Sequence, residues 1–278
     1  MICKTAFGLH MNIRILGGGI TLFLFLIGLT TPVALGQKPD PELETFLTRF
    51  PTPLLRAIAL NNIPWLESEI KKGAAIDPVP GTKIDNSPLF LAISFRHFRI
   101  LNILLENKAN VNITGPLGET PIMLALFYKD SKDYIRTLLE AGADINAKSS
   151  GGTSVLMTAA EYADVEVLDM LLNKKPDVNH INEKGITALM VASNNADVVK
   201  RLLKAGAQLE NKDVYGETAV FHAIREHRLE KLKTLIQAGA RKEIANQDGL
   251  TPEALVKQIS DASLREQMLA ILDRSDRN

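Results

Sequence analysis

From Thr52 onward, apolar residues along the chain fall into two alternating patterns. The first is a Thr or Ser followed by a nearly unbroken apolar run: TPLLRA at Thr52, SPLFLA at Ser87, TPIMLA at Thr120, SVLMTA at Ser154, TALMVA at Thr187, TAVFHA at Thr218 and TPEALV at Thr251. This pattern predicts a short helix. The hydroxyl oxygen caps its first free N–H groups, and Pro is tolerated in its first turn. The second pattern spaces apolar residues three and four apart and ends in a pair: Leu104-Leu105, Leu138-Leu139, Leu171-Leu172, Leu202-Leu203 or Leu235-Ile236. That spacing predicts an amphipathic helix with one buried face. Gly142, Gly206 and Gly239 then supply a left-handed stop. Segments such as Ala141 to Asn146, AGADIN, run out into hairpins that turn back near Gly118, Gly152, Gly185, Gly216 and Gly249.

The seven first-pattern segments start 35, 33, 34, 33, 31 and 33 residues apart. A unit this short cannot bury its own apolar face, so copies must stack and bury it between neighbours. The pattern resembles the ankyrin repeat, including that family's T-P-L-H-x-A and G-A-D-V-N signatures, over about Thr52 to Asn278. The resemblance implies an all-α ankyrin-repeat solenoid of helix-turn-helix units with β-hairpin loops. It divides the chain into repeats at 52–86, 87–119, 120–153, 154–186, 187–217 and 218–250, with a C-terminal cap at 251–278 and a lead-in helix at 37–51. Phe90, Met123, Met157, Met190 and Phe221 stand where the family places His and are expected to fill the core instead. The third repeat carries one extra residue near Asp130-Ser131-Lys132, and the fifth lacks two around Asn194-Asn195-Ala196. Both changes fall in the turn between helices.

The first 36 residues differ from the rest. They hold no Asp or Glu, and Ile15 to Leu29 is an uncharged run, ILGGGITLFLFLIGL, followed by Pro32 and by Ala34-Leu35-Gly36. A basic start, a short apolar core and a small-residue site describe a secretory signal peptide, 1–36, with Met11 as an alternative start. The competing reading is an uncleaved anchor in the inner membrane facing the periplasm, for which fifteen residues is short against the roughly 20 a span needs. Cleavage after Gly36 would remove Cys3, the only cysteine, and leave 30 basic against 32 acidic side chains. A thiol-free chain suits an oxidising compartment, so a bacterial protein in the periplasm or secreted is the expectation. Asn112-Ile113-Thr114 is a glycosylation sequon, relevant only on a eukaryotic secretory route.

Charge and motifs then narrow the function. The 32 basic and 32 acidic residues give no net field to hold nucleic acid. No H-E-x-x-H, G-x-S-x-G or P-loop spacing occurs, and His97, His222 and His227 occupy helix or turn positions with structural readings. An enzyme is not expected, nor a cofactor or a metal. The one catalytic alternative would build a site on His180 and neighbouring carboxylates. The reading that remains is a monomeric binding module for another protein, in an accessory or immunity role that stabilises or inhibits its partner. It would touch a membrane only through an uncleaved leader.

In the fold that the resemblance implies, hairpin tips and first-helix ends line one concave face. Counting three residues past the signature Ala gives Phe95, Tyr128 and Tyr162 in successive repeats, with Phe127 beside Tyr128. Aromatics make up only 5% of the chain, so this recurrence marks an aromatic ladder for a protein partner. The alternative is that Phe95 and Phe127 complete the core. Asn195, Tyr215 and Arg225 extend the candidate surface. Lys148, His180, Glu183, Lys184 and Asp213 are hairpin residues for a polar rim.

Overall fold

Each Thr or Ser of the first pattern does precede a helix, and each amphipathic stretch forms a second helix beside it. In the computed structural model, residues 41–78 and 87–273 are described. A lead-in helix, α1 (Pro41–Leu47), is followed by seven pairs. They are α2 (Pro53–Ala59) with α3 (Ile63–Lys71), α4 (Pro88–Ser94) with α5 (Phe98–Glu106), and α6 (Pro121–Ala125) with α7 (Lys132–Glu140). Then come α8 (Val155–Tyr162) with α9 (Val165–Leu172), α10 (Ala188–Val191) with α11 (Ala196–Lys204), α12 (Ala219–Arg225) with α13 (Leu229–Gln237), and α14 (Pro252–Lys257) with α15 (Ala262–Asp273). The leader and its apolar run, Ile15 to Leu29, lie outside the described residues. Among the described residues, no helix is long and apolar enough to cross a membrane.

The two helices of a pair are buried differently. First helices are sandwiched on both sides: all six residues from Pro88 to Ile93 are buried in α4. Second helices bury only a stripe, such as Ile100, Leu101 and Leu104 in α5 or Val198, Val199 and Leu202 in α11. Together they form one continuous apolar core along the stack. Met123, Met157, Met190 and Phe221 sit in it, and Phe90 is likewise buried. The cap reading holds at Thr52, Ser154, Thr187 and Thr251, whose side-chain oxygens accept a backbone N–H. It does not hold at Ser87, Thr120 and Thr218, whose buried hydroxyls make no hydrogen bond.

Adjacent hairpins are joined by two sets of bonds. At the tips, Ser150 N–H donates to the Leu117 carbonyl, Glu183 to Gly151, Val214 to Lys184 and Gln247 to Tyr215. This close approach is why the turn must be glycine at Gly118 and Gly185. Both have positive φ, and an added Cβ would lie 2.7 Å from the Ser150 nitrogen or 2.8 Å from the Asp213 Cα. Nearer the helices, side chains clamp one repeat to the next. Asn112 accepts from Asp144 N–H at 2.7 Å and donates to the Gly142 carbonyl at 3.0 Å, and Asn179 does the same to Gln208 and Gly206. Asn112 of the sequon thus spends its side chain on this clamp.

Candidate functional site

The stack is least regular in repeats three to five. Helix α6 ends at Ala125, two residues shorter than α2, α4 or α12, so the chain leaves it early through Leu126, Phe127 and Tyr128. Helix α10 has four residues and stops at Ala192, which has φ −47 and ψ 137. The two missing residues of the fifth repeat are the cause, because the chain must reach α11 sooner. A helix cut this short leaves its last carbonyls without intrahelical donors. The sixth repeat supplies the donors. Arg228 Nη1 donates to the Val191 carbonyl at 3.0 Å and the Ala192 carbonyl at 2.5 Å, and Lys231 Nζ donates to the Met190 carbonyl. Cations at a helix C-terminus also complement its dipole.

Lys231 is fully buried, and burial lowers its pKa from the ordinary lysine value to about 7. Glu226 lies 3.9 Å from its ammonium group and also pairs with Arg228 at 3.0 Å. Glu161, on the last turn of α8, faces the same cluster. Burial raises its pKa, partly offset by a hydrogen bond from Tyr162 and by the charges of Arg228 and Lys231.

A cavity of about 310 Å³ opens on the hairpin side of this irregular stretch. Met157, Glu161 and Tyr162 wall it from α8, Phe127 from the turn after α6, Ile186 from the end of the fourth repeat, Val191 from α10, and Leu117 and the 149–151 turn from the hairpins. The Phe127 and Tyr162 rings are in contact, with centroids 4.7 Å apart and planes tilted by 51°. Tyr162 is 43% exposed.

The aromatic residues of the expected ladder therefore have three different settings. Phe95 packs edge-on against Phe46 and Phe50 of the lead-in, at 6.4 and 6.0 Å, and stacks on His97 at 5.8 Å. Tyr128 is half-buried between repeats two and three, hydrogen-bonded to Ser94 near Arg96 and Tyr134, and burial raises its pKa. Tyr162 lies in the cavity, and its ring neighbour there is Phe127. The physical reason is the early end of α6, which shifts the count past the signature Ala by one residue.

The polar positions also have distinct settings. Asn195 caps α11, accepting from Asp197 N–H at 2.9 Å. Tyr215, 66% exposed, and Val214, 48% exposed, form the most prominent apolar hairpin tip among the described residues. Arg225 forks onto Glu217, with Nε donating to Oε2 at 2.8 Å and Nη2 to Oε1, and it holds Glu217 below the usual carboxylate range. Asp213, Glu217 and His222 lie close enough together for metal ligation. Yet His222 and two backbone N–H groups already occupy Asp213, while Arg225 and Asn246 occupy Glu217. The cluster is built as a brace between hairpin and helix. His180 Nε2 meets the Gly152 carbonyl at 2.8 Å, another contact between hairpins. Sequence reasoning missed Glu161, Arg228 and Lys231. The signal available for them was the short 31-residue step between Thr187 and Thr218.

The comparisons agree with this architecture. The family profile described as "Ankyrin repeats (3 copies)" matches residues 40–149 and 153–246. An ankyrin repeat protein of fowlpox virus is 31% identical over 126 residues, 44% of this chain and 37% of its own length. A potassium channel of Arabidopsis thaliana is 26% identical over 170 residues, 61% of this chain and 21% of the channel. The chain thus spans well under half the length of these relatives. Among solved structures, the ankyrin repeat domain of Bcl-3, a member of the IkappaB protein family, superposes with a TM-score of 0.63. The match covers 80% of this chain and 98% of that domain at 24% identity, a likeness of fold. The chain belongs to the ankyrin repeat family.

Proposed function

We propose that the chain is an exported binding module that docks a partner protein in its concave groove, in the periplasm or after secretion, and stabilises or inhibits it. The observation that carries this reading is the cavity beside Phe127 and Tyr162. Two contacting aromatic rings, one of them 43% exposed, line an open space on the face where hairpins and first helices meet. Large, rigid aromatic area is what interface hot spots are made of. The wall behind it is already ordered by the repeat stack, so docking costs little conformational entropy. Export rests on the leader, 1–36, with its acid-free apolar run and small-residue site. The second reading, an inner-membrane scaffold, rests on Ile15 to Leu29 staying in place.

The test is capture of a partner by the tagged full chain in its native host, with N-terminal sequencing of the recovered chain. One stoichiometric exported partner and a start at Gln37 are expected. Phe127→Ala and Tyr162→Ala should each weaken that complex by more than about 1 kcal/mol while leaving thermal unfolding nearly unchanged. Binding that survives both substitutions would remove the groove from the mechanism. An intact leader in washed membranes would select the anchored reading.

A further inference from the structure

We infer that the cavity walled by Phe127, Tyr162 and Glu161 is a subsite for one basic side chain, lysine or arginine, presented by the segment that lies in the groove. The inference rests on the groove reading above and names the chemistry of its occupant.

The lining is apolar apart from a few hydroxyls, amides and backbone groups, and Tyr162 apart, Glu161 is its only ionisable residue among the described residues. At about 310 Å³ the space is at the small end of ligand pockets, enough for one long side chain. Lysine and arginine fit such a shape. The aliphatic stem lies on Met157, Ile186 and Val191, and the charged head reaches the carboxylate. The Phe127 and Tyr162 rings add a second attraction, because a cation is drawn to an aromatic face.

Charge complementarity decides between a cation and the alternatives. Glu161 is half-buried, and a carboxylate taken out of water needs compensation. Tyr162 provides one hydrogen bond. The nearest cations of the chain, Arg228 and Lys231, offset part of that cost through their charge, but they do not line the cavity and their donors are directed elsewhere. Their donors reach the carbonyls of Val191, Ala192 and Met190, and both share Glu226. An acidic side chain in the cavity would meet Glu161 in repulsion. An apolar one would strip its water and return nothing.

The test is a selection of phage-displayed peptides on the full chain, followed by titration of the selected peptides. The selected sequences should share one Lys or Arg. Replacing that residue by Met should weaken binding at least tenfold, and Glu161→Gln should weaken the parent peptide by a similar factor with its unfolding midpoint unchanged. The peptide-side replacement keeps the test valid if Glu161→Gln disturbs folding. Peptides that lose binding on Phe127→Ala or Tyr162→Ala, yet tolerate loss of the basic residue, overturn the cation subsite and leave the groove. Selection of no peptide, or of peptides indifferent to Phe127→Ala and Tyr162→Ala, overturns both.

Discussion

The first, second and sixth repeats turn between their helices in one way, and the third, fourth and fifth do not. In the regular group, Asn61, Arg96 and His227 take positive φ of 52, 59 and 58. The next N–H then closes the turn onto the first helix: Asn62 to Ala57, His97 to Ala92 and Arg228 to Ala223, each at 2.8 Å. In the irregular group α6 stops early, the fourth repeat passes through extended Ala163, and α10 is cut to four residues with Ser193 bonding across to the Ala160 carbonyl. The cavity and the half-buried Glu161 belong to the irregular stretch, and the buried Lys231 reaches back into it from the sixth repeat. Repetition makes a stack, because each unit offers its neighbour the same surface. Space and unusual electrostatics arise where a unit departs from the rule and its neighbours must adjust.

The comparison breaks most easily at Arg228. Arg228→Ala removes the donor from two carbonyls at the end of α10, and leaving buried polar groups unpaired is costly. We expect a loss of about 3 kcal/mol in urea unfolding. The corresponding turn residue in the regular second repeat is His97, which bonds the Ala59 carbonyl of a complete helix and whose pKa is lowered by burial. His97→Ala should cost only about 1 kcal/mol. Equal losses at the two positions would mean that the shortened helix places no special demand on its neighbour.

The second effect is a pH dependence from Lys231. Its folded pKa of about 7 lies below the ordinary 10.5, so between these values the unfolded chain binds more protons than the folded one. Stability from this group is therefore fully present above about 10.5 and is lost as pH falls towards 7. Unfolding free energy should rise by about 2 kcal/mol between pH 7 and pH 9. Lys231→Met should flatten that rise, and an unaltered slope in the variant would assign the dependence to other groups.

How far the sequence could be read follows the same division. The seven apolar runs that follow a Thr or Ser, and their spacing, place helix pairs along the chain, because burial between like neighbours imposes one pattern on every copy. Candidate surface residues were harder to place because counting from the signature Ala assumes helices of equal length. That assumption gives way at α6, which is why Phe127 rather than Tyr128 stands beside Tyr162. Lys231 reads from sequence as part of a solvated helix face. Its burial comes from the length of α10 in the preceding repeat, 41 positions away at Met190, a non-local cause that helical periodicity does not contain. Glu161 and Arg228 escape for the same reason.

The smallest effect sharpens the comparison by asking whether one local rule holds in both groups. Second helices end at a left-handed residue, which is glycine at Gly73, Gly142, Gly206 and Gly239 but Lys108 and Lys175 in repeats two and four, with φ of 68 and 55. A side chain with a Cβ is strained there, and glycine is not. Lys108→Gly should raise unfolding free energy by about 0.5–1 kcal/mol, the relief of strain exceeding the extra freedom glycine gives the unfolded chain. Lys175→Gly should gain the same amount, although it lies in the irregular group, because irregularity there is confined to the turns between first and second helices. Pro176, the next residue, already restricts position 175 in the unfolded chain. A gain at Lys108 with a loss at Lys175 would show that the irregularity of repeats three to five extends to the ends of the second helices.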